Sequence, residues 1–467
     1  MKTSVVILAA GLGTRMRSKQ AKVLHRAGGL SLVEHVVQAA GAVTSRDRIV
    51  VVTGHQADTV EALLEPMGVR FARQVQQKGT GHAVMCAREA LQKADPKQDG
   101  LLLVLYGDTP LLSAAALKQL REAQACSDAA ATLITTTLAD PSGYGRVILD
   151  DGGNVAAIVE HRDVNPEQLQ VRVINSGIYC FRAKALWKHI AEIKPNTVSG
   201  ELYLTDMAAI LRRHGQRVQS LHMDDSSELL GINTRVELAE ADRILRARKT
   251  RELMLAGVTI ERPETVSIDV QVRVGTDTII EPFVRLLANT AIGEDCRIGQ
   301  GAILESAALA DRVVVAPYTL IADSRIDPGA HIGPFARLRM LSQVGPEARI
   351  GNFVELKKTR VGAGTKSQHL AYLGDSEIGE RVNVGAGTIT CNYDGEKKHV
   401  TKIGAGAFIG SNSTLVAPVE IAPDSYVAAG SVITEAVPSH ALALGRARQV
   451  NKPGWTKNRK KKLAKKT

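Results

Sequence analysis

Two hydrophobic periods divide the chain. Through residue 235, short apolar runs alternate with segments of helical spacing. Residues 5–9 (Val5, Val6, Ile7, Leu8, Ala9) are apolar without a break and read as a fully buried strand; further strands are expected at 49–53, 100–106, 131–137, 146–149 and 173–181. Helical patterns cover 32–41, 56–65, 81–94 and 113–126. This alternation predicts an α/β domain of Rossmann-like type with a mainly parallel sheet, whose ligands gather at the carboxyl ends of the strands.

From Thr234 the spacing of Val236, Leu238, Ala239, Ile244, Leu245 and Leu253 predicts one long helix, capped by Asn233 or Thr234 and ended by Gly257. Beyond it the period becomes six. Aliphatic residues recur at Val274, Ile280, Leu286, Ile292, Ile298 and Leu304. After a four-residue slip they resume at Ala308, Val314, Leu320, Ile326, Ile332, Leu338, Val344, Ile350 and Leu356. They return at Ile378, Val384, Ile403, Ile409, Leu415, Ile421 and Val427. Such spacing predicts a parallel β-helix of hexapeptide repeats, each aliphatic side chain filling the interior and each turn taking ~18 residues and ~4.8 Å of height. Two interruptions, around 360–375 and 390–395, are expected to leave the coil as binding loops. The expected limits are 1–235 for the first domain, 236–256 for the linker helix, 257–455 for the β-helix and 456–467 for a basic tail.

Composition narrows the class. No apolar run reaches the ~18 residues needed to span a bilayer, and residues 5–9 lead straight into a glycine loop rather than a signal-peptide cleavage site. Five scattered cysteines without a Cys-x-x-Cys pair argue against zinc and against a disulfide framework, and so for a reduced, cytoplasmic protein. Aromatic residues are only 3%, which fits a coil with little interior room for rings. The net charge of +11 is concentrated at the end, where 452–467 carries eight basic residues and no acid. That tail reads as a solvated, disordered end; Trp455 is the only ring beyond Tyr426, so base stacking has no platform and no nucleic-acid partner is expected.

Candidate chemistry follows the strands. The first one stops at Ala10-Gly11-Leu12-Gly13-Thr14-Arg15. Glycines let the backbone approach a ligand, exposed N–H groups attract phosphate oxygens, and Arg15 and Lys22 add positive charge. The absence of Gly-Lys-Ser/Thr excludes a P-loop, and Met16 stands where a dinucleotide fingerprint needs its third glycine. Asp108, after Tyr106-Gly107, is either a helix cap or a ligand of the kind Mg²⁺ prefers. Gln74 offers an amide donor and acceptor that match a pyrimidine edge. Gly79-Thr80-Gly81 fits a nucleotide contact and equally a turn capping the next helix. His369 is a candidate general base, since histidine as a residue type titrates near ~6.5, although a lone histidine is more often structural.

The string L-A-A-G-x-G-T-R-M at 8–16, followed by K-V-L at 22–24, resembles the sugar-1-phosphate nucleotidyltransferase family. The motifs Gly143-Tyr144-Gly145-Arg146, Ile158-Val159-Glu160-His161 and Ile174-Asn175-Ser176-Gly177 follow, then Gly200-Glu201-Leu202-Tyr203-Leu204-Thr205-Asp206 and Leu230-Gly231-Ile232-Asn233-Thr234-Arg235. Their order is that of uridylyltransferases acting on N-acetylglucosamine 1-phosphate. With K-S-x-H-L-x-Y-L-G-D at 366–375 and N-V-G-A-G-T-I-T-C-N-Y-D-G at 383–395, residues 4–455 resemble the bacterial bifunctional family that acetylates glucosamine 1-phosphate from acetyl-coenzyme A. That family then joins the N-acetylglucosamine 1-phosphate to UTP, releasing pyrophosphate.

The resemblance implies a left-handed β-helix and a homotrimer whose acetyltransferase sites lie between subunits. It implies that Leu8, Ala9, Ala10, Gly11, Gln74, Gly79, Thr80, Tyr106 and Gly107 hold the nucleotide. Arg15 and Lys22 would act catalytically on its phosphates, Gly145, Glu160 and Asn175 would bind the amino sugar, and Asp108 and Asn233 would hold Mg²⁺. In the β-helix it implies Arg339, Lys357, Tyr372 and Asn383 at the sugar phosphate and His369 as the base. Ala386, Asn392, Tyr393, Ser411, Ala429 and Arg446 would line the acetyl-coenzyme A site. Two departures are expected to loosen turns: Ala21 and Met340 stand where the family has proline. The competing readings are a nucleotidyltransferase with a purely structural β-helix, as in relatives making ADP-glucose, and a scaffold that uses the basic tail.

Overall fold

The computed structural model describes residues 2–94 and 96–464. It divides into two compact units, Met1–Arg248 and Lys249–Thr467. The first unit is built on β1 (Thr3–Ala9), buried at every position. Its side chains alternate between two cores: Val5, Ile7 and Ala9 join Val36 and Leu117, whereas Val6 and Leu8 join Leu186 and Leu211. Both faces of the strand are therefore covered, which is why its sequence is apolar without alternation.

The remaining strands are β2 (Ile49–Thr53), β3 (Arg70–Arg73), β4 (Leu101–Tyr106), β5 (Ala131–Thr137), β6 (Arg146–Leu149), β7 (Val155–Val159), β8 (Val173–Arg182) and β9 (Val218–His222). The main sheet runs in the order β9-β5-β8-β4-β1-β2-β3. Its pairings are parallel except those of β8, which runs antiparallel to both β4 and β5. The hairpin β6-β7 joins the sheet through Ile174 and Arg146.

Helices α1 (Leu32–Gly41), α2 (Ala57–Leu64), α3 (Thr80–Cys86), α4 (Arg88–Ala94), α5 (Ala114–Ala125), α6 (Ala183–His189) and α7 (Asp206–Arg213) complete the unit. A capping box starts α1, with Ser31 and Glu34 bonding each other's backbone N–H. The single helix expected over 81–94 is two, broken at Ala87, which caps α3. Helix α8 (Arg235–Leu255) runs through the division between the units, and Thr234 is its cap: Thr234 Oγ1 accepts from the Glu237 N–H at 3.2 Å and Glu237 Oε2 from the Thr234 N–H at 2.9 Å.

The second unit is a left-handed parallel β-helix of hexapeptide repeats. Strand pairs sit 18 residues apart at Arg285↔Ile303 and 17 apart at Ile303↔Leu320. The shortening corrects the expected register. Leu309, Val315 and Ile321 fill the interior, not Ala308, Val314 and Leu320, and Leu320 is 46% exposed. Two five-residue rungs, Leu304 to Leu309 and Ile321 to Ile326, replace the four-residue slip. Both members of each pair are apolar, so the hydrophobic pattern alone cannot choose between them.

The segment 360–375 is not a loop. It belongs to strands Arg360–Val361 and Lys366–Gly374, the latter paired with Arg349–Lys357 over nine-residue lengths. The true excursion is at 392–400, where the spacing grows to 25 residues between Ser376 and Thr401. Trp455–Leu463 is an exposed helix, with the Arg459 guanidinium 5.2 Å from the Trp455 ring centroid, in place of the disordered end expected. Among the described residues no helix is long and apolar enough to cross a membrane.

The register assignment is testable. Leu309→Ala should destabilise the second unit by about 2–5 kcal/mol, whereas Ala308→Ser should stay within about 0.5 kcal/mol of wild type in chemical unfolding.

Candidate functional sites

The carboxyl ends of β1 and β4 open onto a cavity of about 570 Å³. Of the residues expected there, Leu8, Ala9, Ala10, Gly11, Arg15, Lys22, Gln74, Gly79, Thr80, Tyr106, Asp108 and Asn233 line it together. At its centre the Lys22 ammonium is paired with the Asp108 carboxylate and donates to Asn233 Oδ1 at 3.1 Å, while Arg15 Nη2 donates to the same oxygen at 2.8 Å. The Asn233 amide is turned for this by its own Nδ2, which donates to the Gly231 carbonyl at 3.2 Å. Gly13 is required here: its φ is +62°, and a Cβ would come within 2.5 Å of the Lys22 Cβ. Asp108 and Asn233 thus present two hard oxygen donors converging on one cation, the donor set that a divalent ion such as Mg²⁺ takes.

The loop before Lys22 is tied rather than loosened. Ala21 has φ −55°, within proline's range, but its N–H donates to Gln56 Oε1 at 2.7 Å, a bond proline could not make. Gln56 Nε2 donates in turn to the Lys19 carbonyl at 2.8 Å. Gln77, between Gln74 and Gly79, donates from Nε2 to the Ala10 carbonyl at 2.8 Å and so anchors the glycine loop.

Gly107, Gly145, Glu160 and Asn175 do not line that cavity but lie beside it. Gly107 N–H donates to the Leu8 carbonyl at 2.9 Å, and Asn175 N–H to the Gly145 carbonyl at 2.9 Å. A bulge in β8 between Asn175 and Tyr179 sets this corner, and Gly177 (φ +79°) leaves room for the Tyr106 ring, which a Cβ would approach to 2.3 Å. Burial, then the nearby Glu160 and Asp108 charges, push the Tyr106 phenol well above its ordinary range, so it stays neutral. Burial also raises the Glu160 carboxyl, opposed by Thr205 Oγ1 donating to it at 3.1 Å.

In the second unit, Asn352 and His369 face each other across the two long strands, with His369 Nδ1 3.2 Å from Asn352 Oδ1. A donating Nδ1–H leaves the lone pair on Nε2, which a base requires. His369 therefore sits on a strand, not on a loop. Lys357 and Asp375 form a buried pair at 2.5 Å, with side chains 5% and 6% exposed, and Asn392 Nδ2 also donates to Asp375 Oδ2 at 2.5 Å. Asp375 lies within the 366–375 motif but gave no sign of this role. Burial alone would raise its carboxyl; the hydrogen bonds from Lys357 and Asn392 outweigh it and hold the group below its ordinary range.

Lys398, on the 392–400 excursion, was also missed. The Lys357 ammonium beside it, and then burial, push it below its ordinary value, and Arg339 adds to the effect. Arg339 is held by Glu355 at 2.7 Å, so Arg339, Lys357 and Lys398 form one basic cluster. Met340 has φ +58°, which no proline can adopt, and its Sδ accepts from Arg339 Nη1 at 3.2 Å, so this turn is tied to Arg339 rather than loosened. The Tyr372 hydroxyl and the Asn392 amide flank Gly374, and Asn383 pairs with Lys366. Tyr393 is exposed at the start of the excursion. Ala386, Ser411 and Ala429 stack on successive turns, linked through Asn412 N–H to Ala386 O at 2.7 Å and Gly430 N–H to Ser411 O at 2.8 Å, with the exposed Arg446 one turn further on.

Comparison with known proteins gives matching results for both units. Residues 5–195 match the MobA-like NTP transferase domain, 289–316 the hexapeptide repeat of succinyl-transferase, and 401–435 the bacterial transferase hexapeptide (six repeats). The chain is 55% identical to the bifunctional protein GlmU of Solibacter usitatus over 458 residues, covering 98% of this chain and 97% of that one. It is 48% identical to the bifunctional protein GlmU of Koribacter versatilis, covering 100% and 99%, and 45% identical to that of Shouchella clausii, covering 97% and 98%.

Breaking the buried pair should be costly. Asp375→Asn should destabilise the second unit by about 3–5 kcal/mol near neutral pH, because it leaves Lys357 without a counter-charge. Since the folded carboxyl titrates below its unfolded value of about 3.9, its contribution is present above that pH and lost as the pH falls through the folded value. The gap in melting temperature between wild type and variant should therefore narrow from about pH 5 to about pH 2.

Proposed function

The chain belongs to the bifunctional GlmU family, and on that premise we propose how each unit performs its half of the synthesis of UDP-N-acetylglucosamine. The observation that carries the first half is the convergence of Arg15, Lys22, Asp108 and Asn233 at the strand ends beside one cavity. A phosphate oxygen of N-acetylglucosamine 1-phosphate attacks the α-phosphorus of UTP, the bond to the β-phosphate oxygen breaks, and pyrophosphate leaves. Arg15 and Lys22 hold the phosphates and offset their developing charge. Mg²⁺ held by Asp108 and Asn233 would neutralise further phosphate charge when bound. The Tyr106, Glu160 and Asn175 corner receives the amino sugar.

In the second unit the Arg339, Lys357 and Lys398 cluster receives the phosphate of glucosamine 1-phosphate. His369 Nε2 takes a proton from the sugar amine, the amine attacks the acetyl thioester carbonyl, and the tetrahedral adduct collapses to the amide and free coenzyme A thiol. The stacked Ala386, Ser411 and Ala429 give the coenzyme a smooth edge along the coil, ending at Arg446. The five free cysteines suit a reducing, cytoplasmic setting.

The assembly is a homotrimer in this reading. Tyr318, Phe335 and Phe353 form a ladder of half-exposed stacked rings, 5.4 and 5.5 Å between centroids, and Leu370, 64% exposed, extends it next to His369. An apolar stripe of this kind marks a protein interface.

A two-stage assay tests the reading. Wild type should release thiol from acetyl-coenzyme A with glucosamine 1-phosphate, then pyrophosphate when UTP and Mg²⁺ are added. His369→Ala should lose about 10²–10⁴ of the thiol rate yet release pyrophosphate when given N-acetylglucosamine 1-phosphate; Asp108→Ala should do the reverse. Thiol release unchanged by the His369 substitution would remove it as the base. Sedimentation supplies a separate check. Phe335→Glu should turn a trimer into monomers and depress thiol release while sparing pyrophosphate release; an unchanged assembly would move the interface elsewhere.

A further inference from the structure

We propose that His82 is a positioning residue that fixes which base the nucleotide carries, by turning the Gln74 amide so that its carbonyl oxygen faces the ligand. The proposal rests on the uridylyltransferase reading of the first cavity and names what makes that cavity choose uracil. Gln74 is 4% exposed yet lines the cavity, and its backbone N–H is fastened to the Thr53 carbonyl at 2.8 Å. Its Nε2 lies 3.0 Å from the Gly79 carbonyl oxygen and 3.0 Å from His82 Nδ1. A backbone carbonyl has no proton to give, so the nitrogen end of the amide must face Gly79. Its second N–H then goes to His82 Nδ1, which accepts only when the ring proton is on Nε2. The Cys86 sulfur is 3.9 Å from both ring nitrogens, so the Gln74 amide, not the thiol, decides which of them carries the proton.

Both N–H groups are thereby used inward. Gln74 Oε1 makes no hydrogen bond among the described residues and is the amide atom left for a ligand. A lone acceptor selects by hydrogen-bond polarity. Uracil carries a proton on N3 and can donate to it. Cytosine carries a lone pair at the same ring position and would set acceptor against acceptor, leaving a desolvated oxygen unpaired. A rotated amide would reverse the preference. His82 and the Gly79 carbonyl are the two groups that prevent the rotation, and of these only His82 can be changed by substitution without altering the backbone.

The test compares UTP with CTP as substrate in pyrophosphate release from N-acetylglucosamine 1-phosphate, for wild type, His82→Phe and His82→Asn. Phenylalanine keeps the bulk without an acceptor; asparagine can place a carbonyl oxygen where Nδ1 stands. His82→Phe should lower the UTP/CTP ratio of kcat/KM by about tenfold, mostly through KM, and His82→Asn should restore most of it. Should His82→Phe not fold, as judged by circular dichroism, His82→Leu takes its place. A ratio that stays at the wild-type value in the acceptor-less variant overturns the proposal. So does an equal loss with both nucleotides, which marks a structural role, or a His82→Asn variant no better than His82→Phe. A wild type that releases no pyrophosphate from UTP overturns the uridylyltransferase reading itself and the inference with it, and is distinguishable from the other outcomes at the first measurement.

Discussion

A lysine ammonium paired with a carboxylate organises each unit. In the first, Lys22 meets Asp108 and Asn233, residues separated by 86 and 211 positions from it. One lies after the glycine loop, one at the end of β4 and one before α8, so a single nitrogen fixes where three segments meet. Leaving either Lys22 or Asp108 without its partner would cost several kcal/mol, which gives the site its single arrangement. The second unit turns the device round: the Asp375 carboxylate accepts from both Lys357 and Asn392 across two turns of the coil. Both units of this family handle phosphorylated ligands, and in the proposed reading a carboxylate in each holds a cation ready where phosphate charge is to be met. Such preorganisation avoids reordering the site when the ligand arrives.

The parts of this arrangement legible from sequence are those set by a local rule. Strands β1, β2, β5 and β6 declare themselves because apolar runs bounded by glycine or polar turns have one good reading. The glycine loop is legible because its close approach to Lys22 demands the residue type. The direction of β8 is not, since an antiparallel strand buried on both faces has the same composition as a parallel one. The coil was legible in period and wrong by one residue over 308–320, where paired apolar residues such as Ala308-Leu309 and Leu320-Ile321 leave the face undecided. Only the ladder settles it, by placing Leu309 and Ile321 inside.

Residues that act through another group were the ones least visible. Gln77 binds a backbone carbonyl, Asp375 a lysine 18 positions earlier, and Lys398 joins its cluster through an excursion whose path the hexads do not encode. The two proline departures carry the same lesson in reverse. Ala21, where the resemblance expects proline, has an N–H that Gln56 captures, so the turn is held by a hydrogen bond. Composition reports the loss; only the partner reports the compensation.

The corners of the coil show how a fold-level constraint becomes a surface. Phe283, Tyr318, Phe335, Phe353 and Leu370 all have positive φ, from +34° to +63°. For residues with a Cβ this conformation costs of order 1 kcal/mol each, and glycine would relieve it. Gly301, at φ +69°, takes the equivalent place between Phe283 and Tyr318 and lies under the Tyr318 ring. Where glycine is not used, the strained backbone directs the side chain outward, and the near-constant turn length brings each one above the last. Stacking between Tyr318, Phe335 and Phe353 returns part of the strain, and burial against another copy of the chain would return more. Positive φ recurs at polar corners such as Asp295, Arg312 and Glu347, so it belongs to the turns of the coil; at this corner the positions carry rings, which makes the edge apolar, and His369 lies immediately beside it because Leu370 is its last rung.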